Sequence, residues 1–431
     1  MKRLAALWPF LLLVLYILPA AAAETQTTID SGATAWLLTA TALVLLMTLP
    51  GLALFYGGLV RSRNVLSVLM QCFALCCIVS VVWLAFGYSV AFSAGPNGLF
   101  GGLSKAWLSG VGLNSVSGVV PETAFVMFQL TFAIITPALI IGGFAERTRF
   151  SAMLLFCTLW LVIVYLPVTH WVWGGGWLAD LGFRDFAGGA VVHVNAGVAA
   201  LVAALVIGRR SGFPETPMLP HNLTMTVSGA SLLWVGWFGF NGGSALAANG
   251  AAAMAILVTH VAAAAGSLAW MTLEWVRFRK PSVLGIATGM VAGLGTITPA
   301  SGYVGPAGAL VIGLVAGIVC FFATQTLKRK LRVDDSLDVF PVHGVGGFTG
   351  LLLTAVFSAP AVGGLGLPTG VTVAKQLGVQ LLGAAATAVW CGLATFVLLK
   401  VVNAVVPLRV SREQENEGLD LVLHEERGYS L

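Results

Sequence analysis

Charge is what this sequence has least of. Its 431 residues carry 17 Asp and Glu and 22 Lys and Arg, 9% in all, against 58% hydrophobic residues. A soluble surface is built from roughly 25–35% charged residues, so a string of soluble domains is excluded. Cysteine is sparse too. The six, Cys72, Cys76, Cys77, Cys157, Cys320 and Cys391, all fall inside apolar segments. None has the paired loop spacing of a disulfide framework or a zinc site, and they read as small core residues. Asp and Glu are missing from the middle of every apolar stretch. That removes the midplane carboxylates an ion-coupled carrier for another solute uses. Nothing suggests hydrolysis either, since Ser244 has no base within its own motif. The chain is therefore read as no enzyme, with no metal and no cofactor implied.

What the sequence has in abundance is long apolar windows. They fall at 34–58, 65–93, 121–145, 150–168, 188–208, 223–245, 251–274, 283–298, 304–326, 341–358 and 373–402. Each is long enough, or nearly so, to cross ~30 Å of hydrocarbon. Ahead of them, "MKRLAALWPFLLLVLYILPAAAAETQ" has the basic start, apolar core and alanine-rich end of a secretory signal. The reading is an all-α polytopic membrane protein: a signal peptide at 1–23, a transmembrane domain of eleven helices at 24–405, and a tail at 406–431.

The net charge of +5 does not mark a nucleic-acid partner, because the basic residues come in small groups between spans. They mark topology. One set of connections holds Arg61, Arg63, Arg147, Arg149, Arg209, Arg210, "RFRK" at 277–280 and "KRKLR" at 328–332; the other holds only Lys105, Arg184 and Lys375. By the positive-inside rule the mature N-terminus is periplasmic and the tail cytoplasmic.

The fifth window opens with "RDFAGGAVVHVNAG" and the tenth with "LDVFPVHGVGGFTG": an Asp, an aromatic, then a His followed by small residues. Eleven spans divide into five, five and one, and an odd number per unit inverts the second copy. His193 then enters from one side and His343 from the other, each ~8–12 Å along its span, so that they meet near the midplane. An ionisable side chain at that depth is expensive and points to function. Asp185, at the start of the fifth span, reads first as a capping carboxylate.

Aromatics gather nearby. Phe128 and Phe132 are four apart on one helix face. "THWVWGGGW" puts Trp171 and Trp173 in a loop after the fourth span, where belt tryptophans are common. "WVGWFGFNGGSA" adds Trp237, Phe240 and Ser244. Aromatic faces with one hydroxyl suit a small cation.

The segments "AERTRFSAML", "HWVWGGGWL", "DFAGGAVVHVNAG", "PHNLTM", "GWFGFNGGSA", "VDDSLDVFPVHGVGG" and "REQENEGLDLVLHEERGY" together resemble the ammonium transporter (Amt/Mep/Rh) family, on its bacterial Amt branch. The resemblance runs in order across the mature chain. It implies eleven helices in two inverted five-helix repeats plus a final helix, a homotrimer in the cell inner membrane, and one path per subunit. It further implies recruitment of ammonium or methylammonium by Phe132, Trp173 and Ser244, with Phe132 and Phe240 stacked as a gate beneath. His193 and His343 would be the twin histidines of the pore, supported by Asp185, Trp237 and Phe128. Pro341 stands where the family has a small residue. The tail resembles one that couples subunits and docks a PII-type signalling protein, here packing against inner loops such as 328–332. Ammonium and potassium ions share charge and size, but only ammonium can shed a proton; the expected activity is recruitment as NH4+, deprotonation, and conduction of NH3 with the proton relayed separately. The alternatives are a Rh-like gas channel and an ammonium sensor, the latter without room for a signalling domain in the tail.

Overall fold

The computed structural model describes residues 29–430, and the expected signal at 1–23 lies outside the described residues. Eleven apolar helices follow one another: α1 Ser31–Leu59, α2 Ser62–Phe92, α3 Glu122–Phe144, α4 Phe150–Asp180, α5 Gly189–Ile207, α6 Leu223–Gly242, α7 Gly250–Phe278, α8 Val283–Ile297, α9 Pro306–Lys330, α10 Phe340–Phe357 and α11 Val373–Val405. Ten of them are long and apolar enough to cross a bilayer. The exception is α8. Its 15 residues rise ~22 Å, short of the hydrocarbon thickness. The tail adds two short helices, α12 Arg412–Glu417 and α13 Leu419–His424.

The core forms around α3, whose apolar window is 94% buried, whereas that of α11 is 28% buried. A helix apolar on every side must be surrounded by others, and α3 packs against α1, α2 and α5. The end of α4 that carries Trp173 and the tail lie on opposite faces of the bundle, called here the Trp173 face and the tail face.

Two crossings bring the histidine helices together. A Cβ on Gly197 would lie 2.2 Å from the amide nitrogen of Gly344, and one on Gly347 would lie 2.7 Å from Cβ of His193. Only bare backbone permits an approach this close. Both helices also open with a widened, π-type turn, Gly189–Val194 in α5 and Phe340–Gly344 in α10. Each of these turns contains one of the histidines. Pro341 lies in the first turn of α10, where a missing N–H forfeits no intrahelical bond.

One placement differs from the sequence expectation. Trp171 and Trp173 sit in the last turns of the helical stretch Leu166–Trp173, within α4, and not in a loop. Trp171 is 6% exposed and donates its indole N–H to the carbonyl of Leu99 at 2.8 Å, so it is a packed anchor and not a belt residue.

Candidate functional site

The Trp173 face holds an open cavity of about 310 Å³ lined by Phe92, Phe125, Gln129, Trp173, Phe186 and Ser244 among others. Its aromatic wall is fixed from behind. The Trp173 indole donates to the carbonyl of Asp185 at 2.8 Å, and its ring meets Phe132 edge-on, 5.8 Å between centroids at 90°. Phe128 packs on Phe132 at 5.1 Å. The Ser244 hydroxyl donates to the carbonyl of Phe240 at 2.8 Å, which leaves its lone pairs free to accept from a ligand.

One member of this wall was not among the expected residues. Gln129 is 8% exposed, lines the cavity, and has a side-chain carbonyl with no partner within the chain. A buried unpaired acceptor is costly, and Gln129 lines the same cavity as Trp173 and Ser244. The available signal was its place between Phe128 and Leu130, one step from the aromatic face. Nothing local in the sequence distinguishes that amide from a packing one.

Below this cavity Phe132 and Phe240 stack with 4.2 Å between centroids at 37°, and both are buried. Past them lies a constriction of about 10 Å³, lined by Ile135, Leu139, Val192, Trp237, His193 and His343 among others. That is roughly the space of one water-sized molecule. The two imidazoles are its only titratable members.

His193 and His343 face each other through Nδ1 atoms 3.2 Å apart, rings nearly parallel at 18°. One Nδ1 must donate and the other accept, so the pair shares one proton along this contact. His193 is also stacked on Trp237 at 5.5 Å and 18°, and Trp237 is held by its N–H bond to Thr298 Oγ1 at 2.9 Å. His193 Nε2 is buried without a partner in the chain.

Asp185 organises the start of α5. It lies three residues before the helix N-cap Gly188, whose φ of 117° is in the region that favours glycine. From there its carboxylate accepts four backbone N–H groups, from Gly188 (2.9 Å), Gly189 (2.5 Å), Ala190 (2.7 Å) and Val191 (3.3 Å). The capping role expected of it is thus filled more fully than a single cap bond would fill it. Burial pushes its carboxyl above the usual range, against the pull of those four donors.

Beyond His343 a third cavity, about 100 Å³, opens toward the tail face; it is lined by Tyr56, Met218, Pro220, Lys328, Asp338 and His343 among others. Ring contacts between the first two spaces and shared lining residues between the last two place them in series. Phe240 stacks on Phe132, which meets the first cavity's Trp173 edge-on, and it lines the second; His343 joins the second to the third. Asp335 accepts the N–H of Phe340 at 2.7 Å at the start of α10. Burial and the neighbouring Asp338 push its carboxyl up to about 7.

The tail face is tied by buried charge. Arg147 donates to the carbonyls of Gly143, Ala145, Gly208 and Asp334 and to the hydroxyl of Ser336. Burial lowers its pKa to about 10, so it stays protonated. Burial opposes ionisation of Glu146, but Arg210 and Arg61 outweigh it and hold the carboxyl below its ordinary value. The tail straps onto this network. Glu415 accepts the Ser211 N–H at 2.6 Å, Asp420 accepts those of Leu66 and Ser67 at 3.0 and 2.7 Å, and Tyr429 bonds His221 at 2.9 Å. These bonds reach the first turns of α2 and the connection after α5, not the 328–332 loop expected from the sequence, where Lys328 instead pairs with Asp338 at 2.7 Å.

Residues 35–429 match the family described as Ammonium Transporter Family. The chain is 48% identical over 403 residues to the ammonium transporter of Bacillus subtilis (strain 168), covering 92% of this chain and 98% of that one. Among solved structures it resembles one named Sensor Amt Protein, with a TM-score of 0.85, 30% identity, and coverage of 91% and 98%. It also resembles Candida albicans Mep2, with a TM-score of 0.82, 37% identity, and coverage of 90% and 88%. With that match over nearly its whole length, and with relatives that are transporters and not enzymes, this multi-pass membrane chain belongs to the ammonium transporter family.

Proposed function

We propose that this chain transports ammonium by taking the ion apart. Ammonium is recruited as a cation in the Trp173-face cavity, against Phe132, Trp173 and the Ser244 hydroxyl. It loses its proton near the Phe132–Phe240 stack, and ammonia passes the histidine constriction while the proton travels separately along His193 and His343. The observation that carries this reading is the histidine pair itself: two imidazoles 3.2 Å apart, in a neck otherwise lined by apolar and aromatic side chains. Moving a bare small cation into such a neck costs an idealised ~20 kcal/mol, a term that neutral ammonia avoids. A proton left behind needs alternating donor and acceptor nitrogens, which imidazoles supply.

The same reading places eleven crossings in two inverted halves, with the tail in the cytoplasm, the mature N-terminus in the periplasm and a homotrimer in the inner membrane. It is favoured by the alternating connections and by the two histidine helices, which enter from opposite faces with matching widened turns. A second reading, ammonium sensing, draws on the likeness to the solved Sensor Amt Protein. Transport separates the two.

Proteoliposomes containing only this protein should give ammonium-driven currents and take up labelled methylammonium. Trp173→Leu and Phe132→Ala each remove an aromatic contact worth up to ~2 kcal/mol, or roughly 30-fold in cation affinity. Selectivity over sodium and potassium should fall with it. Wild-type selectivity in both variants would move the recruitment site elsewhere, and absence of current and uptake in the unmodified protein would favour sensing.

The tail is proposed as the regulatory element. Strapped to the start of α2 and to the connection after α5, it holds the loop whose Met218 and Pro220 line the tail-face cavity. A trimeric PII-type protein would bind three equivalent mouths with gain from avidity. Ending the chain at Val410 should weaken PII capture from host extract, measured with and without ATP, ADP and 2-oxoglutarate, and lower uptake at least several-fold. Unaltered binding and uptake would reduce the tail to a solvated end.

A further inference from the structure

The connection between α2 and α3, residues 93–121, does not simply bridge two helix ends. It turns back and descends along α2. Gly101 N–H bonds the carbonyl of Val90 at 3.0 Å, and Lys105 N–H bonds the Ser89 hydroxyl at 2.9 Å. The turn Ala106–Leu108 then packs against Trp83–Gly87. Trp83–Gly87 lies five to nine residues short of the end of α2 at Phe92, or ~8–14 Å below it by helix rise.

That depth has a physical meaning. The 31 residues of α2 rise ~46 Å, which exceeds a ~30 Å hydrocarbon layer by roughly 8 Å at each end. The turn therefore sits at the boundary between headgroups and acyl chains, where tryptophan is favoured. Its side chains are sorted accordingly. Leu103 is 65% exposed and Trp107 71% exposed, beside Leu84 of α2 at 43%. The one charged residue between Ser93 and Pro121, Lys105, is turned inward, paired with the buried carboxylate of Glu122, which also accepts the Tyr88 hydroxyl at 2.7 Å. Trp107 and Leu108 hold φ of 57° and 54°, a left-handed conformation unfavourable to both, and it is in this turn that the indole stands exposed.

We propose that residues 99–108 form an interfacial apron that inserts into the lipid leaflet on the Trp173 face, with Leu103 and Trp107 as its anchors. Lipid is the occupant because the exposed surface carries no unpaired charge, its half-buried Lys105 being neutralised by Glu122, continues the apolar flank of α2, and lies at the depth where that flank leaves the hydrocarbon. A soluble partner protein would have to reach the same surface through the headgroups.

The test uses the full chain labelled with 5-fluorotryptophan in phospholipid nanodiscs. The Trp107 resonance is the one lost in Trp107→Phe. It should be broadened several-fold more by a phospholipid carrying a nitroxide near the top of its acyl chain than by a water-soluble gadolinium chelate. Leu103→Glu should reverse that order, and if this variant does not fold, the unmodified chain decides alone. Stronger broadening by the gadolinium chelate would overturn the proposal by placing the turn in water. Broadening by neither probe would overturn it too, since another protein surface would then cover the turn.

Discussion

With leucine at both positions 193 and 343, ammonium-driven current should fall by at least about 100-fold. The neck between the cavities contains no other titratable side chain. The double replacement therefore leaves apolar and aromatic walls and no nitrogen to accept a proton. Ammonia passing alone would leave its proton on the Trp173 face, so that no charge crossed and no current flowed, while the acid left behind opposed further deprotonation of ammonium. A widened neck that admitted hydrated cations would instead show as lost exclusion of potassium. Paired measurement of current, labelled methylammonium uptake and potassium flux separates the two outcomes. Either one supports the relay, whereas wild-type uptake with intact potassium exclusion would remove it. The single replacement His343→Leu is informative because it leaves His193 Nδ1 without the partner it meets at 3.2 Å. It should lose most of the current on its own, since a relay with one member has nowhere to pass the proton.

The histidines were legible in the sequence because a titratable ring in an apolar span is costly wherever it points, and their matching contexts implied opposite entry. The aromatic set was legible for a related reason: Phe128 and Phe132 share a helix face by spacing alone. Other features depend on contacts between distant segments. Gln129 looks like any packing amide until the fold places it in one cavity with Trp173 and Ser244. The segment "THWVWGGGW" reads as a loop around Trp173, but the helical stretch Leu166–Trp173 of α4 includes that tryptophan, and the break falls only at the glycines that follow it. The tail's partners lie some 200 to 350 residues away in sequence, and no periodicity reports them. The inward turn of Lys105 is likewise invisible, because its pairing with Glu122 requires the connection to fold back along α2.

Replacing Asp185 with alanine should be the second severe lesion, through geometry and not through contact with ammonium. Its carboxylate is the acceptor for four consecutive N–H groups at the start of α5, and hydrogen bonds to a charged acceptor contribute roughly 1.5–3 kcal/mol each, less when they act as a group. Losing even ~3 kcal/mol locally would raise opening of that turn about 100-fold. The displaced segment would carry His193, four residues after Gly189, away from His343 and Trp237. The backbone carbonyl of Asp185 also accepts the Trp173 indole at 2.8 Å, so a shifted turn would loosen the recruitment wall at the same time. Hydrogen exchange at residues 188–191 should therefore accelerate by about two orders of magnitude in Asp185→Ala, with uptake reduced at least 10-fold in protein that remains folded. Asp185→Asn keeps one acceptor oxygen and puts an NH2 group against the remaining donors, so it should fall between the two. If Asp185→Ala left those amides protected while uptake was lost, the carboxylate would act on the cation directly by its charge. If protection and uptake both persisted, the four bonds would be incidental to the path, and the position of His193 would have to be set by its packing against Gly347 and Trp237 alone.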